Sequence, residues 1–282
     1  MLVFTEKKVL SQHLSSIIEA NKSIGFVPTM GALHQGHLSL MEQALKENDT
    51  VVVSIFVNPT QFNNIEDLEK YPRTLEADVN KMQTLSENLL IYAPDVKDIY
   101  EQKLASESFD YDGLELKMEG KHRLGHFDGV GTIVKRLFEI ITPNRANFGE
   151  KDFQQLQIVK KLVEKFQLPV QIIGCPIFRE PNGLAMSSRN ERLSPQARKK
   201  AAFIYETLQK SKQNFIIKSA QETTEIVEKA FNKQKDFKLE YFEIADEKTL
   251  SICQKKDNNK KYRGFIAVFI ENIRLIDNIP MY

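Results

Sequence analysis

The chain has 282 residues, of which 41% are hydrophobic and 27% charged, with a formal net charge of +1. That length suits two domains with a substantial core, and the near-neutral balance excludes attraction to nucleic acid or a membrane surface through the overall field. No apolar run approaches the ~20 residues of a membrane helix, residues 1–8 lack the order of a secretory signal, and Cys175 and Cys253 offer no disulfide framework, so a cytoplasmic location is expected.

In chain order, residues 24–27, 51–57 and 89–93 read as short buried strands, and residues 38–46 and 75–85 carry helical spacing between them. Such alternation predicts an α/β fold: a parallel sheet covered on both faces, with ligands at the carboxyl ends of its strands. Phe153, Leu156, Val159, Val163 and Phe166 mark an amphipathic helix, and 170–173 a further strand. From about Cys175 the texture changes to a turn-rich stretch over 179–192, helical patterns over 195–210 and 219–231, and a strand at 264–270. The expected division is therefore 1–175 and 176–282, the second part a smaller α+β domain. The basic run 255–263 reads as a solvated loop.

The most informative stretch is His34-Gln-Gly-His37, which follows a strand and opens a helix. Helix N-termini present free N–H groups to phosphate, and imidazoles add donors that follow charge onto a phosphoryl oxygen. Asn58 and Gln61 place neutral amides after the second strand; Asn58 alone would equally serve to build an Asn-Pro turn. Gly149-Glu-Lys-Asp152 resembles a phosphate-facing turn, in which Lys151 supplies charge and Asp152 can cap the next helix. Met186-Ser-Ser-Arg189 offers hydroxyls and a guanidinium to a triphosphate. The segment 119–130 gathers Lys121, Arg123 and His126 in a glycine-rich stretch that suits an anionic substrate or a plain surface loop. Asp78 is a candidate metal carboxylate, with a solvent-facing aspartate as the default.

Taken together, the HxGH and Met-Ser-Ser-Arg motifs resemble the HIGH/KMSKS pair of adenylate-forming nucleotidyltransferases. The motifs ending at His37, Phe62, Arg73, Val130, Leu156 and Asn190, with Arg274-Leu-Ile-Asp-Asn278, are similar to those of the pantoate–β-alanine ligase (pantothenate synthetase) family from about residue 24 to 279. The resemblance implies a Rossmann-like domain with a smaller lid domain and a homodimer. It also implies that ATP, accompanied by Mg2+, activates (R)-pantoate as an adenylate that β-alanine converts to pantothenate. It assigns ATP binding to Met30, Gly31, Ala32, Leu33, His34, Gln35, Gly36, His37, Gly149, Glu150, Lys151, Asp152, Met186, Ser187, Ser188 and Arg189, with a backbone contact from Phe178 to adenine. His37, His34 and Lys151 would be catalytic, and Gln61 and Gln155 would hold pantoate. Asn58, Arg123 and His126 complete the candidate substrate set.

Three departures stand out: Leu124 in place of a proline, a short 62–67 connection, and no proline-glycine turn at 100–103. Two other functions are weighed against the ligase. An adenylyltransferase acting on a phosphate acceptor would need a basic pocket where Gln61 and Gln155 are neutral, and a silent nucleotide sensor would have no need of His34, His37, Lys151 and both serines.

Overall fold

The computed structural model describes residues 1–62, 65–101 and 103–282. The expectations about the 62–67 and 100–103 connections fall partly on Asn63, Asn64 and Gln102, outside the described residues. In chain order the elements are β1 (Leu2–Phe4), α1 (Lys7–Glu19), β2 (Ile24–Thr29), α2 (Gln35–Glu47), β3 (Thr50–Ile55), α3 (Ile65–Glu69), α4 (Leu75–Gln83), β4 (Leu89–Tyr92), α5 (Val96–Tyr100), α6 (Met118–His122), α7 (His126–Ile141) and β5 (Arg145–Gly149). There follow α8 (Phe153–Phe166), β6 (Gln171–Cys175), α9 (Pro195–Lys200), α10 (Ala202–Ile217), α11 (Ala220–Asn232), β7 (Phe237–Asp246), β8 (Tyr262–Ile270) and β9 (Ile273–Pro280). Two compact units result. One comprises Met1–Glu115, Gly120–Glu150 and Gln155–Pro176; the other comprises Leu116–Glu119, Lys151–Gln154 and Ile177–Tyr282. The main division lies one residue beyond the expected one. Two short segments, 116–119 and 151–154, also belong to the second unit, which no change of composition signals.

The first unit holds a six-stranded sheet in the order β1-β4-β3-β2-β5-β6, and all its ladders are parallel. Its strands are short, and the inner four, β2 to β5, are largely buried because helices cover both faces. On one face Val27, Val53 and Ile91 meet Leu38, Met41 and Ala44 of α2; on the other Phe26 packs edge-on against Phe138 of α7, with ring centroids 6.0 Å apart. The chain winds outward from β2 through β3 and β4, then resumes beside β2 with β5 and β6. That reversal opens a crevice at the carboxyl ends of β2 and β5, where α/β sheets bind ligands.

The end of α6, a turn over 123–125 and the start of α7 replace the glycine-rich loop suggested for 119–130; α7 runs on to Ile141. Its glycines allow close approach: a Cβ on Gly129 would lie 2.4 Å from the carbonyl oxygen of Thr60, and one on Gly131 would lie 1.9 Å from the Tyr111 hydroxyl. Phe127, Val130, Val134, Leu137, Phe138 and Ile141 are buried along it. Each such side chain contributes about 1.5–3 kcal/mol when fully buried, which outweighs the roughly 1 kcal/mol that each helical glycine costs.

The second unit has an antiparallel sheet, β7-β8-β9, whose Ile244, Ile266 and Val268 share a core with Ile204, Leu208, Val227 and Phe231 of α10 and α11. The expected 195–210 helix is two helices, joined at Ala201. Ser219 and Glu222 cap α11 reciprocally. Residues 255 and 257–261 are exposed, as a solvated loop requires, whereas Arg263 lies in β8 and is buried. No helix among the described residues is long and apolar enough to cross a membrane.

Candidate active site

Strand β2 ends at Thr29, whose hydroxyl donates to the Ser54 carbonyl (2.7 Å) and accepts from the Gly31 N–H (3.2 Å). The chain then turns through left-handed conformations at Gly31 (φ +81°) and Ala32 (φ +50°). Asp78 of α4, fully buried, holds this turn: Oδ2 accepts from the Ala32 N–H (2.9 Å), and Oδ1 from the Leu33 N–H (2.7 Å). Thr74 Oγ1 donates to Oδ2 (3.1 Å), and Lys81 Nζ donates to the Leu33 carbonyl (2.6 Å). This corrects the solvent-facing default for Asp78, because both carboxylate oxygens are committed to donors from the protein. Among the described residues no three His, Cys, Asp or Glu side chains form a metal-binding group. The N–H groups of Ala32 and Leu33 likewise serve the turn.

His34 is the N-cap of α2 and His37 its third residue, with Gln35 and Gly36 between them in the first turn. The two imidazoles stack with centroids 4.0 Å apart. His37 Nδ1 accepts from the His34 backbone N–H at 3.3 Å, so a neutral His37 carries its proton on Nε2. The result is a helix N-terminus with a positive dipole end and an imidazole N–H of defined tautomer.

Gln61 ends a short 3-10 turn, Pro59–Gln61, after β3. Its Nε2 lies against Met30 Sδ at 2.7 Å, which joins this turn to the loop before His34. Asn58, 1% exposed, donates to the Gly129 carbonyl (3.1 Å) and to Gln61 Oε1 (3.3 Å). It accepts from Tyr100 Oη (2.6 Å) and Thr60 Oγ1 (3.2 Å). Its amide is thus engaged on both ends by protein, and the turn-building reading describes it better than the substrate-binding one. Arg123 and His126 converge on the Gln61 backbone carbonyl at 3.4 and 2.9 Å, and on each other at 3.2 Å. Gly125 (φ +76°) caps α7 and puts His126 in its first turn. Gly149 closes β5 at the sheet crevice, Glu150 follows, and Gln155 is half-buried on α8.

In the second unit Lys151 is half-buried, with Nζ 3.8 Å from Asp152. Its carbonyl accepts from Asn278 Nδ2 (2.9 Å), so the last strand anchors the turn that carries this lysine. Residues 178–186 form a tight hairpin in which the Phe178 carbonyl accepts from the Met186 N–H (3.0 Å); the Phe178 side chain is exposed. Ser187 caps the 3-10 turn Ser188–Arg192, accepting from the Arg189 N–H at 3.3 Å. Arg179 fixes the hairpin through a bidentate pair with buried Asp277 (2.7 and 3.0 Å), and burial raises that carboxyl above the usual range despite the guanidinium. Asn190 donates to Glu180, which Arg198 clamps with three further bonds.

Sequence reasoning missed the groups that hold the candidate residues in place: Asp78 as a loop anchor, Lys81 and Tyr100 in the first unit, and Arg179, Asp277 and Asn278 in the second. Three had partial signals. Asp78 stands in a helix, where a buried carboxylate needs donors from elsewhere, and the Asp277-Asn278 pair closes the last motif.

A family model described as pantoate-beta-alanine ligase matches residues 2–280. The pantothenate synthetase of Flavobacterium psychrophilum is 63% identical over 281 residues, covering 100% of both chains. That of Christiangramia forsetii is 57% identical, covering 100% of this chain and 99% of its own. Among solved structures, the pantothenate synthetase of Thermus thermophilus has a TM-score of 0.92 at 40% identity, with 100% of both chains covered. The pantoate-beta-alanine ligase of Francisella tularensis, complexed with β-γ ATP and β-alanine, has a TM-score of 0.80 at 38% identity, covering 100% of this chain and 98% of its own.

Proposed function

The chain belongs to the pantoate–β-alanine ligase family, and from that premise we propose how its own residues carry the reaction that joins pantoate to β-alanine at the expense of ATP. A carboxylate resists attack by an amine because its carbon is electron-rich and oxide is a poor leaving group. Activation removes both obstacles. A pantoate carboxylate oxygen attacks the α-phosphorus of ATP as the bond to the β-phosphate bridge breaks, giving pantoyl adenylate and pyrophosphate. The β-alanine amine then attacks the acyl carbon, AMP leaves with the carboxylate oxygen, and the amine releases a proton.

The observation that carries this reading is the His34–His37 stack at the start of α2, with the His37 proton directed to Nε2. A proton held there suits a phosphoryl oxygen that gains charge as pyrophosphate departs. Residues 30–37, Gly149, Glu150, Lys151, Asp152, Phe178 and Met186–Arg189 are assigned to ATP, with Lys151, Ser187, Ser188 and Arg189 meeting its negative charge. Gln61 and Gln155 are assigned to pantoate: neutral amides bind hydroxyl and carboxylate oxygens without lowering the nucleophilicity of the carboxylate as a cation would. Arg123 and His126 serve pantoate through the Gln61 carbonyl. Mg2+ enters with the substrate, as Mg-ATP, partly neutralising the triphosphate. A homodimer in the cytoplasm completes the proposal.

The test is exchange of labelled pyrophosphate into ATP with Mg2+ and pantoate but no β-alanine. Exchange that requires pantoate supports the adenylate half-reaction. Binding of ATP without exchange would reject it in favour of another acid substrate or a silent nucleotide binder.

A further inference from the structure

We infer that Asp78, with Lys81 one turn further along α4, is a positioning residue that sets the aim of His34 and His37, and is not a metal ligand. The inference rests on the catalytic role proposed for that histidine pair. Three facts about the loop carry it. Its backbone occupies the left-handed region at two successive residues, Gly31 and Ala32, and the second bears a Cβ, so the conformation is costly without external support. Thr29 takes the Gly31 N–H, and Asp78 supports the rest: it takes the N–H of Ala32 on one oxygen and that of Leu33 on the other. Lys81, three residues on and so on the same face of α4, closes the opposite side by donating to the Leu33 carbonyl. The peptide plane leading into the N-cap is therefore held at both its N–H neighbour and its carbonyl.

Space is equally restricted. A Cβ on Gly31 would meet Asp78 Oδ2 at 3.2 Å and Ile55 Cγ2 at 3.1 Å, so carboxylate and loop fit as one unit. His34 follows directly, and its backbone N–H is the group that selects the His37 tautomer. A carboxylate in α4 thus governs a proton on α2 through the intervening loop, without touching a reacting atom. An acid that accepts from Ala32, Leu33 and Thr74 offers little to a cation, and the burial that strengthens those bonds excludes the waters a hydrated Mg2+ keeps.

Asp78→Asn tests this directly. Whichever way the amide is turned, its NH2 faces a backbone N–H of Ala32 or Leu33, so one anchor becomes a repulsion with little change of volume. In wild-type enzyme that shows pantoate-dependent exchange, the variant should lose about 10- to 100-fold in kcat, since displacement by about 1 Å costs on that order. Its KM for pantoate and its Mg2+ requirement should stay within about threefold, the shift that a little over half a kcal/mol produces. 15N-histidine spectra should show His37 wholly as the Nε2–H tautomer in wild type and as a mixture in the variant. Lys81→Met, which leaves the carboxylate intact, should give a smaller kcat loss of the same kind, and it carries the test if Asp78→Asn does not fold. A raised Mg2+ requirement, with activity restored by excess Mg2+, would overturn the inference in favour of ligation. So would an unchanged His37 tautomer with normal kcat per folded molecule. A wild-type enzyme without exchange would instead reject the ligase reading, while the spectra would still report on the anchor.

Discussion

Gly129 offers the sharpest test of how packing reaches the substrate turn. Replacing it with alanine puts a methyl 2.4 Å from the Thr60 carbonyl oxygen, 2.7 Å from the Thr60 carbonyl carbon and 2.8 Å from Gln61 Cα. None of these neighbours is a side chain that can swing away. Helix α7 and the 58–61 turn must separate by about 0.6–1 Å to restore ordinary contact, and small-to-large changes of this kind cost about 1–3 kcal/mol. The same separation lengthens the Asn58 bond to the Gly129 carbonyl, now 3.1 Å, and the His126 bond to the Gln61 carbonyl, now 2.9 Å. Gln61 then moves off the position proposed to meet pantoate. Thermal unfolding should fall by roughly 2–4 °C per kcal/mol, and kcat/KM for pantoate by about 10- to 100-fold, because reacting groups tolerate about 1 Å of misplacement poorly. ATP affinity, measured by calorimetry, should change little. A variant that melts earlier yet keeps full kcat/KM would refute the link between this helix contact and the substrate amide.

Four other outcomes are expected. His37→Ala should lower turnover with a modest loss of ATP affinity, read by steady-state kinetics and calorimetry; unchanged turnover would end its proposed role. Lys151→Ala should slow the single-turnover burst of pantoyl adenylate measured by quench flow, and a normal burst would count against it. Arg179→Met leaves the buried Asp277 carboxyl unpaired and should destabilise the protein by about 3–5 kcal/mol. Without the guanidinium that carboxyl rises still further above its unfolded value, so the folded state holds the extra proton. The destabilisation should therefore deepen as pH rises above the unfolded carboxylate range, and urea titrations at several pH values would read it. Finally, Cys175 and Cys253 are buried, and burial pushes both thiols up. Neither should react promptly with a thiol reagent in the native protein, and both should react in guanidinium; fast native labelling would contradict their placement.

Legibility in the sequence followed local physics. Helix α8 spans the residues its apolar spacing marks, because Phe153 to Phe166 repeat at three and four and a glycine-bearing turn precedes them. The placement of His34 and His37 at the start of α2 was likewise readable from a strand, two glycines and a helical pattern. Helix α7 was not, because Gly129 and Gly131 look like a loop until Thr60 and Tyr111 are seen to need the space. Helix α1 was unreadable for a different reason: only Leu10 and Leu14 are buried in it, which leaves a weak apolar stripe. The roles of Asn58, Arg123 and His126 depend on bonds that span 62 to 71 positions, and side-chain type alone cannot tell a group that touches ligand from one that holds its neighbour.

The assignment of residues 116–119 and 151–154 to the second unit has a consequence for synthesis on the ribosome. Glu119 receives two bonds from Arg274, 155 positions later, and one from Tyr241; a bulge near residue 240 places Glu240 on the same guanidinium. The Lys151 carbonyl waits for Asn278, 127 positions later. During translation the earlier segments emerge well before their partners, which are still in the exit tunnel or not yet made. The turn that carries Lys151 acquires its bond from Asn278 only when β9 is released, so a chain that stops short of β9 would be left with that turn unanchored however well its parallel sheet had formed.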